Sequence, residues 1–276
     1  MMCAHFKVTR AGFYAWHKRL PGERTQQDVK LIEQVRNVHE RSRGFYGSPR
    51  VTGQLRLDGL CVGKRRIARL MRLAGLQGRS ARLYRQSKVA RRAFYASVPF
   101  RPDTTQACAL NQVWVGDITY LKVAGQWRFL AVVMDRHSRR VLGWNLGEQR
   151  DAALTSRALR QAAGNREAGA SAGVLFHSDR GVEYAAFEFR TQLAKLGMLQ
   201  SMNRAGKMND NAHMESFFHS MKTEELYGKK FNHDHQLRQT LSSYIAFYHQ
   251  QRLHSSLRYL HPVAFERHQA QQACVN

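Results

Sequence analysis

Between residues 113 and 146 the chain reads as consecutive stretches of pleated backbone. Val113-Trp-Val-Gly-Asp-Ile-Thr-Tyr-Leu-Lys-Val123 and Gln126-Trp-Arg-Phe-Leu-Ala-Val-Val-Met-Asp135 are dense in β-branched and aromatic residues, and Ala124-Gly125 between them has the composition of a hairpin turn. Val141-Leu-Gly-Trp-Asn-Leu146 reads as a third strand. A helix follows from Asp151, whose carboxylate suits an N-cap, to Ala163. Then come a buried strand over Val174–His177, a helix over Ala186–Leu196 stopped by Gly197, and a fifth strand over Met198–Met202. Three hairpin-like strands followed by helix, strand, helix and strand commit this part of the chain to an α/β domain, a sheet covered by helices.

Three acids stand out in that framework. Asp117 lies inside the first strand, Asp179 lies in His-Ser-Asp-Arg-Gly just past the fourth, and Glu215 lies in a long helix expected over Asn211–Leu226. On a helical wheel Met214, Phe217 and Met221 form the buried face, while Asn211, Glu215 and Lys222 share another, with His219 beside them. Glu215 thus projects from a rigid element, away from the core. If the three carboxylates meet, they suit a pair of Mg²⁺ ions, which take oxygen ligands and drive phosphodiester cleavage and joining. Each acid also has a plainer reading: Asp179 as a helix cap, Glu215 as a solvated residue. Rivals exist in Asp135, read as a turn acid bound to its neighbours' amides, in Glu183, and in Asp210, read as the cap of the long helix.

The first part of the chain is helical. Val29, Ile32, Val35 and Val38 recur among polar residues. Ser48-Pro49 begins a helix whose apolar face is Val51, Leu55 and Leu57, and Gly59 ends it. A second helix runs from near Gly63 to a stop at Gly75, burying Ile67, Leu70 and Met71 and leaving Lys64, Arg65, Arg66, Arg69 and Arg72 largely outside. A basic second helix after a short turn is the helix-turn-helix pattern, with a solvated basic hairpin as the alternative. The boundaries expected are a helical, helix-turn-helix-like region over 1–76, a basic linker over 77–109 and an α/β domain over 110–270.

Charge points to the partner. The 276 residues carry 44 Lys and Arg against 20 Asp and Glu, a formal +24, and half of that excess lies in the acid-free stretch from Gly59 to Pro102. Such a chain attracts polyanions, nucleic acid first among them. The four cysteines, Cys3, Cys61, Cys108 and Cys274, form no Cys-x-x-Cys pair. The late histidines (His233, His235, His249, His254, His261, His268) read as surface or DNA-facing groups. The longest wholly apolar run, Phe129–Met134, is too short for a bilayer, and the N-terminus has no signal-peptide core. A cytoplasmic, nucleoid-associated protein without membrane contact is expected.

Read together, Trp114-Val-Gly-Asp-Ile-Thr-Tyr120, His177-Ser-Asp-Arg-Gly-Val-Glu-Tyr184 and Asp210-Asn-Ala-His-Met-Glu-Ser-Phe-Phe218 with Lys222-Thr-Glu224 closely resemble the signature blocks of DDE transposases. More narrowly, the chain resembles the second-reading-frame (OrfB) products of bacterial insertion sequences, whose catalytic core is like that of retroviral integrases. Phe45-Tyr-Gly-Ser-Pro-Arg50 and the late block from Tyr248 to Pro262 fit the same family. The resemblance implies a ribonuclease-H-like fold, Mg²⁺ or Mn²⁺ dependence, and strand cleavage with strand transfer at element ends. It carries the catalytic and metal-binding acids onto Asp117, Asp179 and Glu215. Element-end and target DNA are the partners it implies, with a homo-oligomer on DNA and an upstream-frame protein fused or associated. Expected DNA contacts are Lys64, Arg65, Arg66, Arg69, Arg72, Asn211 and Lys222. The chain departs from the pattern at His249, where Asn is usual, and at Val182-Glu183, where Ser-Gln is usual. Two other functions use the same features: a non-catalytic DNA-binding regulator or partial product, and a nuclease that cuts without joining.

Overall fold

The computed structural model describes residues 9–17, 22–79, 107–203 and 211–273. The linker aromatics Tyr84, Phe94 and Tyr95, and the expected cap Asp210, lie outside them. The chain divides into two units, Met1–Gly78 and Arg79–Asn276.

The first unit is helical: α1 (Arg10–His17), α2 (Glu23–Arg41), α3 (Ser48–Leu57) and α4 (Lys64–Leu73). Helices α2, α3 and α4 pack on one another around Leu31, Val35, Val38, Val51, Leu55, Ile67, Leu70 and Met71. Val29, expected in this core, is 65% exposed, and Leu31 is buried instead. A strict three-residue spacing drifts off a helix face, whereas the 31-35-38 spacing stays on it. Leu57 is also exposed, and Gly47 rather than Ser48 is the N-cap of α3. Gly59 and Gly75 end their helices in the left-handed conformation that glycine takes without strain.

The second unit is a five-stranded sheet in the order β3-β2-β1-β4-β5. The strands are β1 (Val113–Val123), β2 (Gln126–Asp135), β3 (Val141–Gly147), β4 (Leu175–Ser178) and β5 (Leu199–Met202). The first three are antiparallel neighbours, while β4 and β5 run parallel to β1. Ala124 and Gly125, both at positive φ, close the β1–β2 hairpin, as a two-residue turn of the I′ kind requires.

Alternation along the strands builds two apolar faces. Trp114, Ala131, Val133, Leu142 and Phe176 face a layer that includes α5 (Ala152–Gly164), α6 (Val182–Ala185) and α7 (Phe187–Lys195), with Leu154, Leu159, Tyr184 and Phe189 filling the space. Asp151 caps α5 as expected, its carboxylate accepting from the Leu154 amide at 2.8 Å. Gly143 lets α5 approach closely, because a Cβ there would strike the backbone of Ala158 and Ala162. On the opposite side, α8 (Ala212–Met221) packs on β1 and α9 (Asp234–Gln250) on β3. The chain ends with α10 (Pro262–Ala273).

The long helix expected over Asn211–Leu226 changes winding. Ordinary helix ends at Met221, and Lys222–Leu226 form a π-helical turn with Thr223, Glu224 and Glu225 buried. A buried fork holds that turn: Arg252 donates through Nε and Nη2 to the two oxygens of Glu224, each at 2.7 Å, and Tyr244 Oη adds a bond at 2.8 Å. No local pattern signals this, since the partners stand 20 and 28 residues away.

Candidate active site

Strand β1 pairs with β4 only as far as the rung Gly116↔Ser178, and then the two part. One step further along each strand stand Asp117 and Asp179. The parallel register therefore brings them near each other, close enough for the charge of Asp179 to act on Asp117. Crevices at the carboxyl ends of parallel strands are where α/β sheets hold ligands, because backbone groups there lack a next strand. A Cβ on Gly116 would run into the Phe176 ring, so the tight rung preceding this split needs glycine.

The electrostatics are those of an unbalanced pair. Burial, and next the negative charge of Asp179, push the Asp117 carboxyl up to about 8. Its recorded hydrogen bond is from the neighbouring Ile118 amide, at 2.7 Å. Asp179 accepts from the Gly181 amide at 3.0 Å and faces Arg150 at 3.9 Å.

Glu183 adds a further carboxylate, 2% exposed, and the structure shows what balances it. Arg150, just after β3, donates to Glu183 Oε1 through Nε at 2.8 Å and Nη2 at 2.5 Å. Gly181 makes room, since a Cβ there would collide with the carboxylates of both Glu183 and Asp179. No local sequence signal marks Arg150. It is an arginine before a helix cap, 33 residues from its partner.

Glu215 is exposed on α8. Its helix is anchored on β1 at both ends of the face it shares with Asn211 and Lys222. Asn211 donates to the Gly116 carbonyl at 3.0 Å, and Lys222 Nζ lies 4.8 Å from the centre of the Tyr120 ring. Burial pushes the Lys222 ammonium down to about 8, against the pull of Asp117. Glu215 stands on the same helix between these two anchors. Among the described residues, however, no three His, Cys, Asp or Glu side chains close on one point as a metal cage would.

The integrase core domain family matches residues 91–208, a second integrase core domain profile matches 196–262, and an HTH-like domain matches 26–84. The insertion element IS600 31 kDa protein of Shigella sonnei is 34% identical over 99% of this chain and 100% of its own length. Transposase InsF for insertion sequence IS3A of Escherichia coli K12 is 34% identical over 96% of this chain and 92% of its own. The chain belongs to the transposases of bacterial insertion sequences. Among solved structures, the HTLV-2 integrase catalytic core domain in complex with magnesium aligns over 54% of the transposase and 92% of that chain, at 16% identity and a TM-score of 0.42.

In the transposase's helical unit, Arg66 and Arg69 of α4 both pair with Asp28 of α2, Arg66 Nε at 2.8 Å. Lys64, Arg65 and Arg72 are exposed. Asp28 sits among polar residues in α2, and its partners lie 38 and 41 residues on, so the sequence held no sign of the pairing. Asn211 is buried, with its amide spent on β1.

The late histidines divide: His233, His235 and His268 are exposed, as expected of surface groups, whereas His249 and His261 are tied into the fold. His249 Nε2 accepts from the Val141 amide at 3.1 Å, and burial pushes its imidazole down to about 4. His261 Nδ1 lies 2.9 Å from the His249 carbonyl and 3.1 Å from the Ala264 amide, at the start of α10. Asp135 is the turn acid expected, accepting from the amides of Asn111, His137 and Ser138.

Proposed function

We propose that Asp117, Asp179 and Glu215 are the catalytic acids with which this transposase cuts DNA at element ends and joins it to a target. The observation that carries the reading is the pair Asp117 and Asp179, placed together where β1 and β4 part and left short of positive charge. The donors fit a hard cation: they are oxygens only, partly buried, and mutually repelling without one. Asp117 and Asp179 would hold Mg²⁺ or Mn²⁺ from the sheet, with Glu215 closing from α8. Two such ions, once bound, activate a water or 3′-hydroxyl and relieve charge on the departing oxygen.

The chain's own residues do the rest. Arg150 balances the Glu183 carboxylate that lies beside the paired acids. Asn211 ties α8 to the strand that bears Asp117, fixing the approach of Glu215. Lys222, on the π-helical turn braced by Glu224 and Arg252, puts a cation beside the acids where a DNA phosphate would lie. Lys64, Arg65 and Arg72 of α4 meet the duplex as solvent-facing cations, and Arg66 and Arg69 share that surface while holding Asp28. The protein acts as a homo-oligomer on DNA, associated with or fused to an upstream-frame protein, in the nucleoid of the cytoplasm.

The test uses the full chain and duplexes carrying the element's ends. Asp117→Asn, Asp179→Asn and Glu215→Gln should each abolish divalent-dependent cleavage and joining while DNA affinity stays within about twofold. Wild-type activity in any one of them removes that acid from the site. Binding without cleavage by the intact protein would make it a regulator, and cleavage without joined products a nuclease.

A further inference from the structure

Beyond the acids, β1 and β2 project an aromatic ridge past the helices that cover the rest of that face. Tyr120 and Lys122 of β1 stand opposite Phe129 and Trp127 of β2 and point to the side that carries Trp114 and Ile118. Nearer the middle of the sheet these positions are core: Trp114 is fully buried, and Ile118 and Phe129 pack against the buried cluster. Towards the hairpin the cover runs out. Tyr120 is 41% exposed and Trp127 50%. Their rings meet edge to face with centres 5.1 Å apart. Each ring carries an ammonium, Lys122 at 4.7 Å from Trp127 and Lys222 at 4.8 Å from Tyr120. The order Lys222, Tyr120, Trp127, Lys122 leads outward from the acids, since Lys222 feels the charge of Asp117. Tyr120 is three residues from Asp117 along the strand, about 10 Å.

We propose that this ridge is a binding site for unpaired nucleotides of the DNA strand being processed. A base needs an apolar π-face once it leaves the duplex stack, and its phosphate needs a cation. The exposed Tyr120 and Trp127 rings and the exposed Lys122 ammonium supply both, without regard to sequence. An apolar protein partner suits the ridge less well, because it would desolvate the exposed Lys122 ammonium and return no charge. The nearby acids do not oppose a polyanion: Glu148 and Asp234 are paired to Arg128, at 3.3 Å and 2.9 Å, and residue 128 points to the opposite face from Trp127. The site would hold unpaired nucleotides along the hairpin end of β1 and β2, on the sheet face opposite to the one Asp117 points to. The inference rests on DNA being the substrate and not on the assignment of the three acids, so its test is run in EDTA.

The full-length protein is titrated with a short single-stranded oligothymidylate and with a blunt duplex of the same length. Trp127→Ala and Tyr120→Ala should each weaken oligothymidylate binding roughly tenfold, with the duplex affected less than twofold. Trp127→Phe and Tyr120→Phe should keep the affinity, and oligothymidylate should quench the tryptophan emission of the native protein more than that of Trp127→Phe. Thermal melts of the Phe variants establish that the hairpin is intact. Equal losses on both probes, or none on the single strand, would overturn the proposal. So would a drop in self-association of Trp127→Ala with unchanged oligothymidylate binding, which would make the ridge an interface between copies of the chain.

Discussion

Asp135 and Asp117 sit on adjacent strands of one sheet and are treated in opposite ways. Asp135 is fully buried at the end of β2, and its oxygens accept from three backbone amides at 2.8 to 2.9 Å. Arg166 lies 3.7 Å away and joins it to a second acid, Glu266, which also takes Arg140 and Ser138. Against burial, which would raise it, Arg166 and then Ser138 and Arg140 hold the Glu266 carboxyl below its usual range. Asp117 has one neighbouring amide, a repelling carboxylate beside it, and a carboxyl pushed up to about 8. Where a buried charge is satisfied on all sides, the fold uses it as a fastener. Where it is left in deficit, as at Asp117, the folded state carries an electrostatic cost.

Three measurements press on that contrast. The largest effect belongs to the fastener. Asp135→Ala strands three amides and leaves Arg166 short of a partner, and should cost about 3–5 kcal/mol in chemical denaturation. A loss under about 1 kcal/mol would mean that Asp135 is no more needed for folding than Asp117.

The second effect has the opposite sign. A carboxyl whose folded pKa is raised binds more protons folded than unfolded, so stability falls as pH climbs from about 4 to about 8. Asp117→Asn removes that penalty. Without divalent ions at neutral pH it should gain at least about 1 kcal/mol, or about 2–4 °C in Tm. An unchanged or lowered Tm would show that Asp117 is already neutralised within the fold.

The smallest effect carries the contrast to the helical unit, where Arg66 and Arg69 are satisfied by Asp28 and Lys64, Arg65 and Arg72 are exposed. Neutralising any one of the exposed three should reduce the slope of log K against log salt by about 1. Arg69→Gln should change that slope less and lower the melting temperature of the unit. Equal slopes for all four substitutions would show that Asp28 does not withdraw Arg69 from the DNA.

The element order and strand limits of the catalytic unit were legible because side-chain alternation, the Ala124-Gly125 turn, the Asp151 cap and glycine stops are local signals. The break into a π-helical turn at Lys222 was not, because it depends on Arg252 reaching Glu224 from another element. The three acids were legible as motifs. Glu183 was visible as an added charge, whereas its neutralisation by Arg150 was not. His249 looked like a surface group for the same reason: its partner, the Val141 amide, lies 108 residues away.

Amino-acid order alone determined the α/β class, the family and the strongly basic character, since each is written in neighbouring residues or in composition. Tertiary structure alone decided which charges are spent and which remain: Arg66 and Arg69 on Asp28, Arg150 on Glu183, Arg252 on Glu224, and Asp117 facing Asp179 without adequate compensation. Coulomb energy depends on distance and burial, and residues far apart in the chain acquire both only when strands align and helices close over them.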